Sequence, residues 1–137
     1  MTMSLIAVAV VCGVCASSLP VWEGRPWFDY PLPAGAPGHE GWGVEVECGR
    51  RVAFLSERAF ASHVTVPRDE LVTLPPELDG LPFPGEPLGC AMNIFRRSDI
   101  QPGQTVAIVG IGFLGAILTR LATDAGARVI AISRRAF

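Results

Sequence analysis

The stretch Thr105-Val106-Ala107-Ile108-Val109-Gly110-Ile111-Gly112-Phe113-Leu114-Gly115 decides the reading of the fold. Its first five residues form a continuous apolar run, as expected of a parallel strand covered on both faces. Three glycines follow at GxGxxG spacing, and residues 116–125 carry the pattern of an amphipathic helix closed by Gly126. A second apolar strand is expected over residues 129–132. Strand, glycine loop, helix and strand make one βαβ unit, the setting in which this glycine pattern becomes specific for a dinucleotide. Gly110 permits the tight turn, Gly112 lets a pyrophosphate approach the backbone, and Gly115 lets the helix lie close to the strand. Phe113 and Leu114 complete the loop, where the helix N-terminus offers free N–H groups and a positive dipole end to phosphate. An NAD site usually places an acidic residue at the end of the second strand. Here that place holds Ser133, followed by Arg134 and Arg135. A hydroxyl and guanidinium groups suit a 2′-phosphate, so NADP is favoured over NAD.

Upstream of this unit, the turn Gln101-Pro102-Gly103-Gln104 follows a helix expected over residues 86–98, with Leu88, Ala91, Met92 and Phe95 on one face. Pro75 and Pro76 mark a change of style, and before them the chain is strand-rich. Short strands are expected over residues 5–11, 43–48, 51–55, 60–66 and 71–74, antiparallel and forming one β-rich lobe. In the second of these, Val44 and Val46 alternate with Glu45 and Glu47. A short helix is expected over residues 16–22, and the density of Pro and Gly over residues 27–38 makes a long ordered loop. The class is therefore α/β. A β-rich domain covers residues 1–80; residues 81–137 supply a linker helix and the first βαβ unit of a doubly wound sheet.

A chain of 137 residues, half of them apolar, can bury one core, divided at most into two lobes. A net charge of −2 gives no general attraction to nucleic acid or acidic lipid, so neither is expected as a partner. Cys12, Cys15, Cys48 and Cys90 lack the spacing of a disulfide scaffold and read as reduced thiols of a cytoplasmic protein. The opening MTMSLIAVAVVCGVCASS has some features of a secretory signal. Its first four residues carry no Lys or Arg, however. The run is too short to span a bilayer, and its Ile and Val content suits a buried strand.

Gly38-His39-Glu40-Gly41-Trp42-Gly43 sets an imidazole and a carboxylate side by side in a glycine-rich segment. Cys15, His39 and Glu86 each stand at the start or edge of a loop. One thiolate, one imidazole and one carboxylate, with water completing the tetrahedron, suit an open zinc site. Each also has an ordinary reading: a small core residue, a hydrogen-bonded turn residue and a charge favouring a helix dipole.

Together these segments resemble the zinc-containing medium-chain alcohol and polyol dehydrogenases. GHEGWGVEVECGRRV (residues 38–52) is similar to that family's zinc signature, and CGVCASSL (residues 12–19) to its first-ligand segment. EPLGCAMNIFRRSDIQPGQTVAIVGIGFLG (residues 86–115) is similar to its linker helix and cofactor loop. The resemblance implies a co-chaperonin-like β lobe for catalysis and a Rossmann lobe for the cofactor. It implies one catalytic zinc held by Cys15, His39 and Glu86, with Cys90 as the rival third ligand. Glu40 would be a neighbour able to hydrogen-bond or transiently ligate, and Ser17 the hydroxyl that relays the alcohol proton. The implied reaction is hydride transfer between a small alcohol or carbonyl substrate and NAD(P), by a homo-oligomer when full length. Trp22, Trp27 and Phe28 suggest some aromatic lining of the substrate site.

Departures from the family pattern matter too. Ser18 stands where many members have Asp, and no Cys-rich loop for a structural zinc lies between Arg51 and Phe60. Cys12 and Cys48 are then expected as buried thiols and His63 as a strand residue. Members have further strands before Leu5 and the rest of the nucleotide sheet after Phe137, so an incomplete chain with little activity of its own is expected. The alternatives are an inactive remnant or interaction subunit that pairs through an open apolar edge at Val129, Ile130 and Ile132, or a zinc-free quinone-type reductase. A Cys12–Cys15 redox pair would need a thioredoxin-like setting that the surrounding strands do not supply.

Overall fold

The computed structural model describes residues 5–134. The chain divides after Glu86 into two compact units. The first is a five-stranded antiparallel sheet made of β1 (Leu5–Gly13), β2 (Glu40–Glu45), β3 (Arg51–Leu55), β4 (His63–Pro67) and β5 (Val72–Thr73). Its strand order is β4-β1-β2-β3-β5. In β1, Ile6 and Val8 are buried while Leu5 and Ala7 face outward, the period-2 alternation of a half-buried strand. The core gathers Ile6, Val8, Val52, Phe54, Ala59 and Val66, with Val10, Cys12, Val64 and Leu71 packed around it. Val8 and Val52 are fully enclosed, each contributing about 1.5–3 kcal/mol by burial.

The expected helix over residues 16–22 is a 3-10 turn (Ala16–Ser18) followed by the single turn α1 (Leu19–Trp22). Pro20 falls in that first turn, where its missing N–H costs nothing. The proline-rich loop that follows is tied down: Tyr30 Oη donates to Val21 O at 2.8 Å. The amides of Ala59 and Phe60 donate to the carbonyls of Gly38 and Gly35, each at 2.9 Å. Those bonds hold residues 59–60 against the loop, and β4 begins at His63 rather than at residue 60.

β2 departs from expectation in position and in facing. It starts at Glu40 and ends at Glu45, because the glycines of this segment serve the ladder instead of a turn. A Cβ on Gly41 would lie 2.5 Å from the Phe54 ring, and one on Gly43 would collide with the Ala9 carbonyl. The turn comes later, through residues 46–49, with Gly49 at φ +72°. Within β2 the charge points inward: Glu45 is 2 % exposed, whereas Val44 and Val46 are 39 % and 57 % exposed. Arg50 makes this tolerable by donating from Nε to Glu45 Oε1 at 2.9 Å and from Nη2 to Oε2 at 3.1 Å. The Cys48 thiol adds a bond to Oε2 at 3.3 Å, so this cysteine is an exposed turn thiol and not the buried one expected. Cys12 is half-buried, and His63 opens β4 as a strand residue.

α2 (Gly85–Arg97) spans the division between the units. The second unit continues with β6 (Thr105–Val109), α3 (Phe113–Asp124) and β7 (Arg128–Ile132). β6 and β7 pair in parallel from Thr105↔Arg128 to Val109↔Ile132, and α3 packs on both strands. The expectation of a strand covered on both faces needs correction. Val106 and Ile108 are half-buried while Thr105, Ala107 and Val109 are exposed, because one helix covers one face. α3 starts at Phe113, three residues earlier than expected, so Phe113, Leu114 and Gly115 form its first turn. Gly126, at φ +83°, ends the helix in the left-handed conformation that suits glycine. Among the described residues, no helix is long and apolar enough to cross a membrane.

Candidate metal centre and nucleotide loop

Cys15 sits where β1 gives way to the 3-10 turn. Its backbone is extended, and its carbonyl accepts the Ser18 amide at 3.0 Å. His39 immediately precedes β2, and its Nδ1 lies 3.1 Å from Pro37 O. A carbonyl only accepts, so Nδ1 carries the proton in this bond and Nε2 is the nitrogen that could ligate a metal. Glu40, the first residue of β2, stands opposite Gly13 of β1. A Cβ at position 13 would collide with Glu40 Oε2, so Gly13 makes room for this carboxylate.

One ligand atom from each of Cys15, His39 and Glu40 lies within 4.8 Å of the others. Tetrahedral zinc ligands lie about 3.3–3.8 Å apart, so small side-chain movements would close the group on an ion. The donor set of sulfur, imidazole nitrogen and carboxylate oxygen suits zinc. Glu40 is only 7 % exposed, and a carboxylate removed from water favours a nearby cation.

The local electrostatics act in the same sense. A hydrogen bond from the Ser17 hydroxyl, followed by the Ser17 backbone, draws the Cys15 thiol below its usual range, against the effect of burial; His39 adds to the lowering. Burial disfavours the charged form of His39, yet the Pro37 carbonyl, Cys15 and the charge of Glu86 together raise it above its ordinary value. Burial pushes the Cys12 thiol up.

Cys15, Ser17, His39 and Glu40 are thus drawn together. Glu86, in the first turn of α2, is not a member of the close group and acts on His39 through its charge. Gly13 was not singled out from the sequence; its only signal is a glycine inside an apolar strand, which marks a close approach. Of the aromatic residues expected near a substrate, Trp27 and Phe28 contact one another, with ring centroids 6.2 Å apart. The guanidinium of Arg25 lies 5.7 Å from the Trp27 ring centre.

In the second unit the three glycines play distinct parts. Gly110 turns at φ +93°. A Cβ on Gly112 would meet nothing within 4 Å, whereas one on Gly115 would collide with the Gly110 carbonyl. The loop therefore leaves open space at Gly112, at the N-terminus of α3, where an anion is favoured. Ser133 is half-buried and Arg134 exposed; Arg135 lies outside the described residues.

No protein-family model matches the chain. It is 39 % identical over 76 residues to the probable D-xylulose reductase A of Emericella nidulans, covering 53 % of this chain and 21 % of that protein. It is 26 % identical to an alcohol dehydrogenase of Geobacillus stearothermophilus, covering 88 % of this chain and 47 % of that protein. Among solved structures it is similar to a protein of Sinorhizobium meliloti assigned as a zinc-binding dehydrogenase, bound to NADP. The TM-score is 0.80 at 27 % identity, covering 96 % of this chain and 49 % of the other. It is also similar to the quinone oxidoreductase of Thermus thermophilus, solved with NADPH, with TM-score 0.70 at 29 % identity, covering 95 % and 44 %. The chain spans about half the length of these proteins or less. The resemblance read from the sequence and the α/β fold both hold.

Proposed function

We propose that this chain, whose sequence and fold are like those of the medium-chain dehydrogenases, forms the metal-binding lobe and the nucleotide loop of a zinc-dependent alcohol dehydrogenase. The observation that carries the reading is the convergence of the Cys15, His39 and Glu40 ligand atoms within 4.8 Å. Cys15 and His39 Nε2 would hold one catalytic zinc, with a carboxylate from Glu40 or Glu86 beside them. When bound, the metal supplies Lewis-acid polarisation of the substrate oxygen, and the nicotinamide supplies the hydride chemistry.

The remaining work falls to residues of the chain. The Pro37 carbonyl fixes the His39 tautomer, as outer hydrogen bonds commonly do for metal-binding imidazoles. The Ser17 hydroxyl, already bonded to Cys15, takes the alcohol proton and passes it to solvent. Gly112 admits the pyrophosphate, and Ser133 with Arg134 favours the 2′-phosphate of NADP. The four free thiols suit the reducing cytoplasm.

Metal analysis of a full-length enzyme carrying this segment should find one zinc per subunit, and Cys15→Ser in that enzyme should lose zinc and alcohol oxidation together; the 137-residue chain alone should show little activity. A native protein that retains no zinc would refute the reading. The likeness to a quinone oxidoreductase favours one alternative, a metal-free reductase, which would reduce quinones with NADPH after zinc is stripped.

A further inference from the structure

We infer that Ala59 and Phe60, just ahead of β4, are positioning residues for the His39 imidazole: their amides clamp the bend whose Pro37 carbonyl orients the ring. This deepens the metal-site reading and rests on it. The Pro37 carbonyl meets His39 Nδ1 at 3.1 Å, so its direction decides which ring nitrogen is protonated and which is left for a metal.

A proline-rich segment has little means of fixing that direction by itself. Pro31, Pro33 and Pro37 have no amide hydrogen to donate. Two local turn bonds shape the bend, Ala36 N to Pro33 O at 3.1 Å and Gly38 N to Gly35 O at 3.2 Å. The grip from outside comes from Phe60 N to Gly35 O and Ala59 N to Gly38 O, each at 2.9 Å. These two bonds take hold of the chain on either side of Pro37. Ala59 is 1 % exposed and belongs to the sheet core with Phe54 and Val66, so the clamp refers the ring to the packed core. The approach is close enough to demand glycine on the loop side. A Cβ on Gly35 would collide with the Arg58 carbonyl, and one on Gly38 with the Phe60 amide nitrogen.

The clamp and the ligand group both lie in the first unit, so the 137-residue chain itself is the sample. Nitrogen-15 NMR of the metal-free chain, at a pH where imidazoles are neutral, should find His39 protonated at Nδ1. The chain has two histidines, and His63→Gln assigns their signals. Gly38→Ala should mix the two His39 tautomers and weaken zinc about 10–100-fold in chelator competition, and Gly35→Ala should act in the same direction. Gly49→Ala is the control: Gly49 at φ +72° matches the backbone of Gly35 at φ +86°, but its Cβ would meet nothing within 4 Å. It should lower the melting temperature and leave tautomer and zinc affinity unchanged. The native protein supplies a measurement that needs no variant. Coupling is reciprocal, so zinc should slow hydrogen exchange at the Ala59 and Phe60 amides by the factor that opening the clamp costs in affinity. Unchanged exchange at these amides in zinc-loaded protein, a Gly38→Ala protein that keeps tautomer and affinity, or equal losses in Gly49→Ala would overturn the inference with the metal reading intact. A native chain that binds no zinc, yet loses its His39 tautomer in Gly38→Ala, would instead overturn the metal reading and keep the clamp.

Discussion

Gly13→Ala adds one methyl group at the place occupied by the Glu40 carboxylate. The two residues face each other across the β1–β2 ladder. The new Cβ would overlap Glu40 Oε2, with Glu40 Cβ and Cδ each 3.1 Å away. What stands in the way is the far end of a flexible side chain, so the strands keep their places and the carboxylate swings aside. Overpacking costs typically 1–3 kcal/mol, and replacing glycine by alanine in a strand returns about 0.5–1 kcal/mol. The net loss of stability is therefore expected to stay below about 2.5 kcal/mol. Metal affinity should suffer more. Removing a group that supports a metal site typically lowers affinity about 10–100-fold, or ~1.4–2.7 kcal/mol. Zinc competition against a chromophoric chelator measures that loss, and thermal melts followed by circular dichroism measure the fold. Glu40→Gln should lose affinity to the same extent. The double substitution should lose no more than either single one, the mark of a shared cause. If Gly13→Ala binds zinc as tightly as the native protein, the Glu40 carboxylate does not serve the site and the reasoning fails.

Three further outcomes are expected. Gly112→Ala should fold normally, since its Cβ meets open space. NADPH binding, followed by nucleotide fluorescence, should nonetheless weaken about tenfold, or ~1.4 kcal/mol; Gly115→Ala, which collides with the Gly110 carbonyl, should lower the melting temperature as well. Arg134→Ala should weaken NADPH binding and leave NADH binding unchanged, and an equal loss for both would remove this residue from 2′-phosphate recognition. The hydrogen bond from Arg50 holds the Glu45 carboxyl below its ordinary value of 4.5. A lowered folded-state pKa gives stability that is complete above the unfolded value and lost as pH falls through the folded one. Denaturant titrations of native protein and Glu45→Gln should therefore differ most near neutral pH and draw together as pH falls below the ordinary carboxylate value and through the lowered folded one; a constant difference across the acid range would remove the ion pair as the cause.

Residues close together in sequence carried much of this architecture. Gly110, Gly112 and Gly115, set between a strand and a helix, shape the glycine loop before α3 through local backbone geometry alone. Cys15 and His39 were legible as ligand-type residues at the edges of loops, although β2 begins at Glu40 and not at the expected residue 43. Other features depend on register between strands distant in sequence, where a shift of one residue reverses every side chain. The β1–β2 ladder places Glu40 over Gly13, and so brings that carboxylate, rather than Glu86, into the close group with Cys15 and His39. The turn beyond β2 lets Arg50 reach back to Glu45, which allows a charge to occupy the side that hydropathy would assign to valine. Ser18 and Phe60, far apart in the chain, meet at one cavity only because the loop between β1 and β2 is bonded to the residues preceding β4. Chain-local spacing settles which elements form, but long-range ladder and loop contacts decide which side chains share a site.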